Sequence, residues 1–91
     1  MSRSAAPAAP EFTLLSRADC HLCETMLEEL RSLLGARPAR VTVVDVDGNE
    51  ELRRRFGSKV PVLLLEGEVV CYGHVDRAEV ERLTRTVSPR P

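Results

Sequence analysis

The stretch Leu14-Leu15-Ser16-Arg17-Ala18-Asp19-Cys20-His21-Leu22-Cys23-Glu24-Thr25-Met26-Leu27 decides how the rest of the chain is read. Two thiols, Cys20 and Cys23, stand where a short apolar run ends and a helix-period pattern begins. The spacing alone is a weak signal, because zinc sites, redox pairs and chance all produce Cys-x-x-Cys. Its placement between a strand and a helix near the start of the chain favours a redox site. There, an anionic sulfur would meet the unpaired N–H groups and positive dipole end of the helix.

Upstream, Phe12, Leu14 and Leu15 predict a strand over Glu11 to Ser16. Residues 1–10 are small and Pro-containing, without periodicity, and read as a flexible tail. Downstream, Leu22, Met26, Leu27, Leu30, Leu33 and Leu34 fall on one helical face, with Glu24, Glu28, Glu29 and Arg31 opposite. Gly35 and Pro38 end that helix. Val41 to Val46 is largely β-branched and apolar, which predicts an interior strand covered on both sides. A strand, a helix and a second strand form a βαβ unit, so these two strands should run parallel.

Asp47-Gly48-Asn49 predicts a turn into a short helix from Glu50 to Phe56, whose apolar pair is Leu52 and Phe56. Two apolar runs, Val60 to Leu65 and Val69 to Tyr72, flank Glu66-Gly67-Glu68 and read as a hairpin. Pro61 cannot donate a ladder hydrogen bond and belongs at the start of its strand or just before it. Asp76 and Glu79 have the spacing of a capping box, opening a last helix that carries Ala78, Val80, Leu83 and Val87. Residues 89–91 form an exit tail. The order is βαβαββα, a single α/β domain over residues 11–88.

Composition narrows the function. The 91 residues carry a net charge of −1, no Trp, one Tyr and two Phe, which argues against a nucleic-acid partner reached through a basic, aromatic face. No apolar run approaches a membrane span, and no basic-then-apolar leader opens the chain, so the expected location is cytoplasmic. Three cysteines fit one working pair plus a separate thiol better than a disulfide-stapled secreted domain.

With Cys-x-x-Cys after the first strand, Val60-Pro61 before the third, and Gly73 with Asp76 opening the last helix, the chain resembles the glutaredoxin-like proteins of the thioredoxin superfamily. The resemblance covers residues 11–88. It implies a thioredoxin-like fold: a four-stranded mixed sheet of order 2-1-3-4, with the first and third helices on one face and the second on the other. It also implies a cis peptide before Pro61. By the same resemblance, Arg17, Lys59, Val60, Pro61, Gly73 and Asp76 are candidate contacts for glutathione or a substrate. The chain departs from the family at His21-Leu22 between the cysteines, at Lys59 where Thr is usual, and at Val75 beside Asp76.

The implied activity is thiol–disulfide exchange, with Cys20 as nucleophile and Cys23 as resolving thiol. A free thiol near pKa ~8.5 is mostly protonated at neutral pH, so Cys20 needs its helix terminus; Arg17 and protonated His21 would help, and Asp19 would oppose. Leu22, Val60 and Pro61 would form an apolar rim, with the Val60 backbone left to pair with an extended substrate. Expected partners are a protein or small-molecule disulfide and a reductant, glutathione or a thioredoxin-type reductase; no cofactor is expected to stay bound. Two alternatives stand beside this reading. One is a non-catalytic adaptor or redox-sensing module on the same fold. The other is a zinc site made of Cys20, Cys23, Cys71 and His74. Cys71 alone reads as a buried strand residue, and Arg53-Arg54-Arg55 as a solvated helix face.

Overall fold

In the computed structural model, which describes residues 9–87 with side chains through Thr84, Glu11–Ser16 forms strand β1, and its alternation sets both faces of the sheet. Helix α1 (His21–Leu34), strand β2 (Arg40–Asp45), a 3₁₀ turn (Val46–Gly48), helix α2 (Glu50–Phe56), strands β3 (Val62–Leu65) and β4 (Glu68–Tyr72) and helix α3 (Arg77–Val87) follow. The strands lie in the order β2-β1-β3-β4. β1 runs parallel to β2, with Leu14 opposite Val43, and antiparallel to β3, with Leu14 opposite Leu63. This is the expected α/β architecture and strand order.

Successive side chains of a strand point to opposite faces, and β1 uses both. Phe12 and Leu14 join Met26, Leu30 and Leu34 of α1, Leu63 of β3 and Val80 of α3 in one buried cluster. Leu15 turns the other way and packs with Val46, Phe56 and Val62. So α1 and α3 cover one face of the sheet and α2 the other. Burying a side chain such as Leu30 contributes roughly 1.5–3 kcal/mol. Two layers of such contacts clamp β1 at the centre.

Two expectations are corrected. Val41 to Val46 does not form an interior strand covered on both sides: β2 is the sheet's edge, and Val43 is 47% exposed. Its β-branched residues suit a pleated strand, and that preference carries no information on whether a neighbour lies beyond it. Leu22 does not join the buried stripe of α1; it is 58% exposed, and Cys23, at 1%, begins that stripe instead. Leu22 sits in the helix's first turn, at the flank of the face formed by Cys23, Met26, Leu30 and Leu34.

The hairpin turns through two residues, Glu66 (φ 51°) and Gly67 (φ 86°), between paired Leu65 and Glu68. Positive φ at both central positions matches the twist of the flanking strands, and Gly67 takes it without a Cβ clash. The β3–β4 register shifts between Leu63 and Leu64, whose partners are Cys71 and Val69. Val70 is thus the extra residue of a bulge, and both Val70 and Cys71 pack against the larger cluster. Pro10 is buried, and its carbonyl accepts from Arg40 N–H at 2.9 Å. Residues 1–8 of the expected N-terminal tail, residues 89–91 and the Val87 side chain lie outside the described residues. Among the described residues no helix is long and apolar enough to cross a membrane.

Candidate functional site

β1 and β2 end at the same edge of the sheet where β3 begins and β4 finishes. Ser16 lies opposite Asp45, Leu15 opposite Val62, and Val62 opposite Tyr72. The segments leaving that edge carry nearly every candidate residue read from the sequence.

From β1 the chain passes through Arg17, Ala18 and Asp19. Asp19 has φ 59°, in the left-handed region that Asp tolerates better than most residues. Cys20 follows in an extended conformation (φ −103°, ψ 102°) and is the N-cap of α1. Its carbonyl accepts from Glu24 N–H at 3.2 Å, and its Sγ accepts from Cys23 N–H at 3.1 Å. The sulfur thus occupies the place that a Ser or Asp oxygen takes at an ordinary helix start. Cys20 and Cys23 are joined as a disulfide, with their Cα atoms 5.2 Å apart. Cys23 is buried, while Cys20 is half-buried at the molecular surface.

Arg17 is engaged by an acidic partner and a backbone carbonyl. Its Nε and Nη2 donate to the two carboxylate oxygens of Asp47 at 2.9 and 3.1 Å, and its Nη1 donates to the Gly57 carbonyl at 2.9 Å. The hydrogen bond to Asp47 raises the guanidinium's pKa, and the same bond holds the Asp47 carboxyl below its ordinary range. Asp47 is in turn fixed by its own N–H, which donates to Asp45 Oδ1 at 2.9 Å.

Lys59 places its ammonium over the exposed ring of Tyr72, 5.7 Å from the centroid. Val60 is half-buried, and its backbone N–H and C=O have no hydrogen-bond partner among the described residues. The Val60–Pro61 peptide is cis, and Pro61 immediately precedes β3. The Pro61 carbonyl accepts from Gly73 N–H at 2.8 Å, which ties those two candidates together. Gly73 has φ 81°, a value that favours glycine. Asp76 caps α3 by accepting Glu79 N–H at 3.1 Å.

The structure does not bring the four residues of the zinc alternative together. Cys20 and Cys23 are bonded to each other, and among the described residues no three His, Cys, Asp or Glu side chains are grouped to hold a metal ion. Cys71 lies on β4, and His74 is exposed in the turn after it. The pair Cys71 and His74 therefore belongs to a different part of the fold from the pair Cys20 and Cys23.

Three participants were missed from the sequence: Asp47 and Gly57, which hold Arg17, and Tyr72, which receives Lys59. Asp47 and Gly57 stand in turns that look like any other polar turn, and their partner is far away along the chain. No local pattern could have announced them. Tyr72 had a faint signal, being the chain's only tyrosine and standing beside the expected Gly73.

Residues 11–84 match the family described as Glutaredoxin-like domain (DUF836). An uncharacterized protein of Mycobacterium tuberculosis is 37% identical over 84 residues, covering 82% of this chain and 87% of its own. The solution structure of protein Ne2328 from Nitrosomonas europaea superposes with a TM-score of 0.76 at 29% identity, covering 91% of this chain and 98% of that one. A mutant thioredoxin from Halobacterium salinarum superposes with a TM-score of 0.60 at 24% identity, over 92% of this chain and 79% of its own, a likeness of fold.

Proposed function

The chain belongs to the glutaredoxin-like family of the thioredoxin superfamily, and from that premise we propose that it is a thiol–disulfide oxidoreductase working through both cysteines. The observation that carries this reading is the Cys20 sulfur standing as the cap of α1, taking the Cys23 N–H at 3.1 Å, with its buried mate in bonding reach. In the reduced protein the same N–H and the helix terminus favour a thiolate at Cys20 over a thiol.

The exchange balances in two steps. The Cys20 thiolate attacks one sulfur of a substrate disulfide; a Cys20–substrate bond forms, the substrate S–S bond breaks, and the leaving thiolate takes a proton from solvent. Cys23 then loses its proton to solvent and attacks Cys20 Sγ. The Cys20–Cys23 bond re-forms and the second substrate thiolate departs and is protonated. Two electrons have passed from the pair to the substrate. Two molecules of glutathione, oxidised to their disulfide, or the dithiol of a reductase return those electrons.

Exposed Leu22 and half-buried Val60 offer an apolar border, and the free Val60 backbone groups suit an extended peptide. Cycling of this kind needs a reducing compartment, and we place the protein in the cytoplasm. The test is turnover of a protein disulfide, with glutathione and thioredoxin reductase compared as electron sources. Wild-type protein should turn over with at least one of them. Cys20→Ser should be inactive, and Cys23→Ser should accumulate a mixed disulfide at Cys20, seen by mass spectrometry. A Cys20→Ser protein as active as wild type, or a wild type inert with both reductants, would leave a non-catalytic adaptor as the reading.

A further inference from the structure

We infer that Arg17 and Asp47 act together as positioning residues for Cys20, fixing the loop that delivers it to the helix start. This rests on the oxidoreductase reading above. The alternative role for a cation so near the cysteines in sequence is a direct one, its charge favouring the thiolate. The geometry opposes that role. The guanidinium fork lies on both carboxylate oxygens of Asp47, and its remaining edge is turned to the Gly57 carbonyl. A bidentate carboxylate offsets the positive charge at close range, so little of it is left to act on a sulfur further off.

The same three bonds make a good anchor. They join the loop after β1 to two separate pieces of chain, the 3₁₀ turn after β2 and the end of α2. Each is fixed in its own right: Asp47 N–H bonds Asp45 Oδ1 at 2.9 Å, and Gly57 N–H bonds the Arg53 carbonyl at 2.8 Å. Gly57 is buried, and a Cβ there would stand 2.4 Å from the Arg53 carbonyl oxygen and 3.2 Å from Arg17 Nη2. A side chain at this position would clash with that backbone carbonyl and crowd the guanidinium. Between Arg17 and Cys20 lie only Ala18 and the left-handed Asp19. Holding Arg17 therefore fixes how the chain enters α1, and with it the aim of the Cys20 sulfur at the Cys23 N–H.

The test follows Cys20 alkylation by iodoacetamide against pH in the reduced full-length protein, with the modified residue assigned by mass spectrometry. Charged groups on the cysteine's own loop and helix (Asp19, His21, Glu24) and on neighbouring segments (Lys59, His74, Asp76) are left unchanged in every variant. Positioning predicts that Arg17→Ala and Asp47→Asn each slow Cys20 at pH 7 by about fivefold and raise the midpoint of its rate curve, as expected for residues coupled in one network. The double variant should be no slower than either single one. Arg17→Lys should recover only a minor part, since one ammonium cannot bridge Asp47 and Gly57 as the fork does. Faster alkylation in Asp47→Asn would overturn the inference, because it would mean that a freed guanidinium acts directly on the thiolate. Lower melting temperatures with an unmoved rate curve would overturn it too, reducing the pair to structural support. A wild-type Cys20 no more reactive than a free thiol would instead remove the oxidoreductase reading, and this inference with it.

Discussion

Two helix starts in this protein carry a sulfur, and they treat it in opposite ways. At α1 the cap is the Cys20 sulfur itself, which takes the Cys23 N–H. At α3 the cap is the Asp76 carboxylate, which takes the Glu79 N–H, and Cys71 stands beside it on β4. Both cysteines are half-buried, so the amount of cover does not distinguish them. Burial is the main influence on the Cys71 thiol and pushes its pKa up; the Asp76 backbone hydrogen bond pulls it partly down, and the Asp76 charge pushes it up again. A helix terminus favours an anion, and at α3 a carboxylate already occupies it. The visible difference between the two helix starts is which group holds the cap, the Cys20 sulfur at α1 and the Asp76 carboxylate at α3.

The largest effect this contrast predicts is in reactivity. In the reduced protein at pH 7, Cys20 should alkylate faster than Cys71 by roughly 10- to 100-fold, following the difference in thiolate fraction. Site-resolved mass spectrometry of partially modified protein measures the ratio directly. Equal rates at the two sites would break the comparison at its root.

Much of that contrast was legible in the sequence, and the missing part has a physical reason. Cys20 at a strand-to-helix boundary, Asp76 three residues before Glu79, and the apolar stripe from Met26 to Leu34 are all local patterns, and each lies where its pattern placed it. The strand order followed from the family resemblance, while strand-by-strand reading erred at β2. Nothing in a β-branched run records whether another strand will lie beside it, and Val43 proved to face solvent at an edge. Leu22 misled for a similar reason: helical periodicity assigns a broad face without saying which residues at its flank are covered. The grip of Asp47 and Gly57 on Arg17 is a contact between segments distant in sequence, and composition does not encode such pairings.

A second, smaller effect sharpens the contrast by acid. Asp47 has its carboxyl pKa lowered by the Arg17 hydrogen bond. A group depressed in the folded state stabilises the fold above its unfolded pKa and loses that contribution as pH falls through the folded value. The grip on the Cys20 loop should therefore be complete at neutral pH and released only below the ordinary carboxylate range. Amide hydrogen exchange at Ala18 and Asp19, corrected for its intrinsic pH dependence, should rise severalfold across that window in wild type. In Asp47→Asn the rise should be absent. Exchange at Cys71, which no part of this strap touches, should follow global stability alone. Parallel behaviour of the two sites would mean that the strap does not govern the loop.

The smallest effect tests the cap at α3 itself. Asn caps helices about as well as Asp, so Asp76→Asn should keep the bond to Glu79 N–H and change stability by no more than a few tenths of a kcal/mol. It removes the negative charge beside Cys71 and leaves burial and the backbone N–H in place. Because the charge is the least of the three influences on that thiol, Cys71 alkylation near pH 8 should rise by only about twofold, and Cys20 should not respond. Asp76→Ala loses the cap as well, at a cost of about 1 kcal/mol, and separates charge from structure. If Asp76→Asn left Cys71 unmoved while Asp76→Ala quickened it, the order of α3 rather than the carboxylate's charge would be what keeps that thiol quiet. The difference between the two helix starts would then lie in how firmly each helix end is held, and not in the charge at its cap.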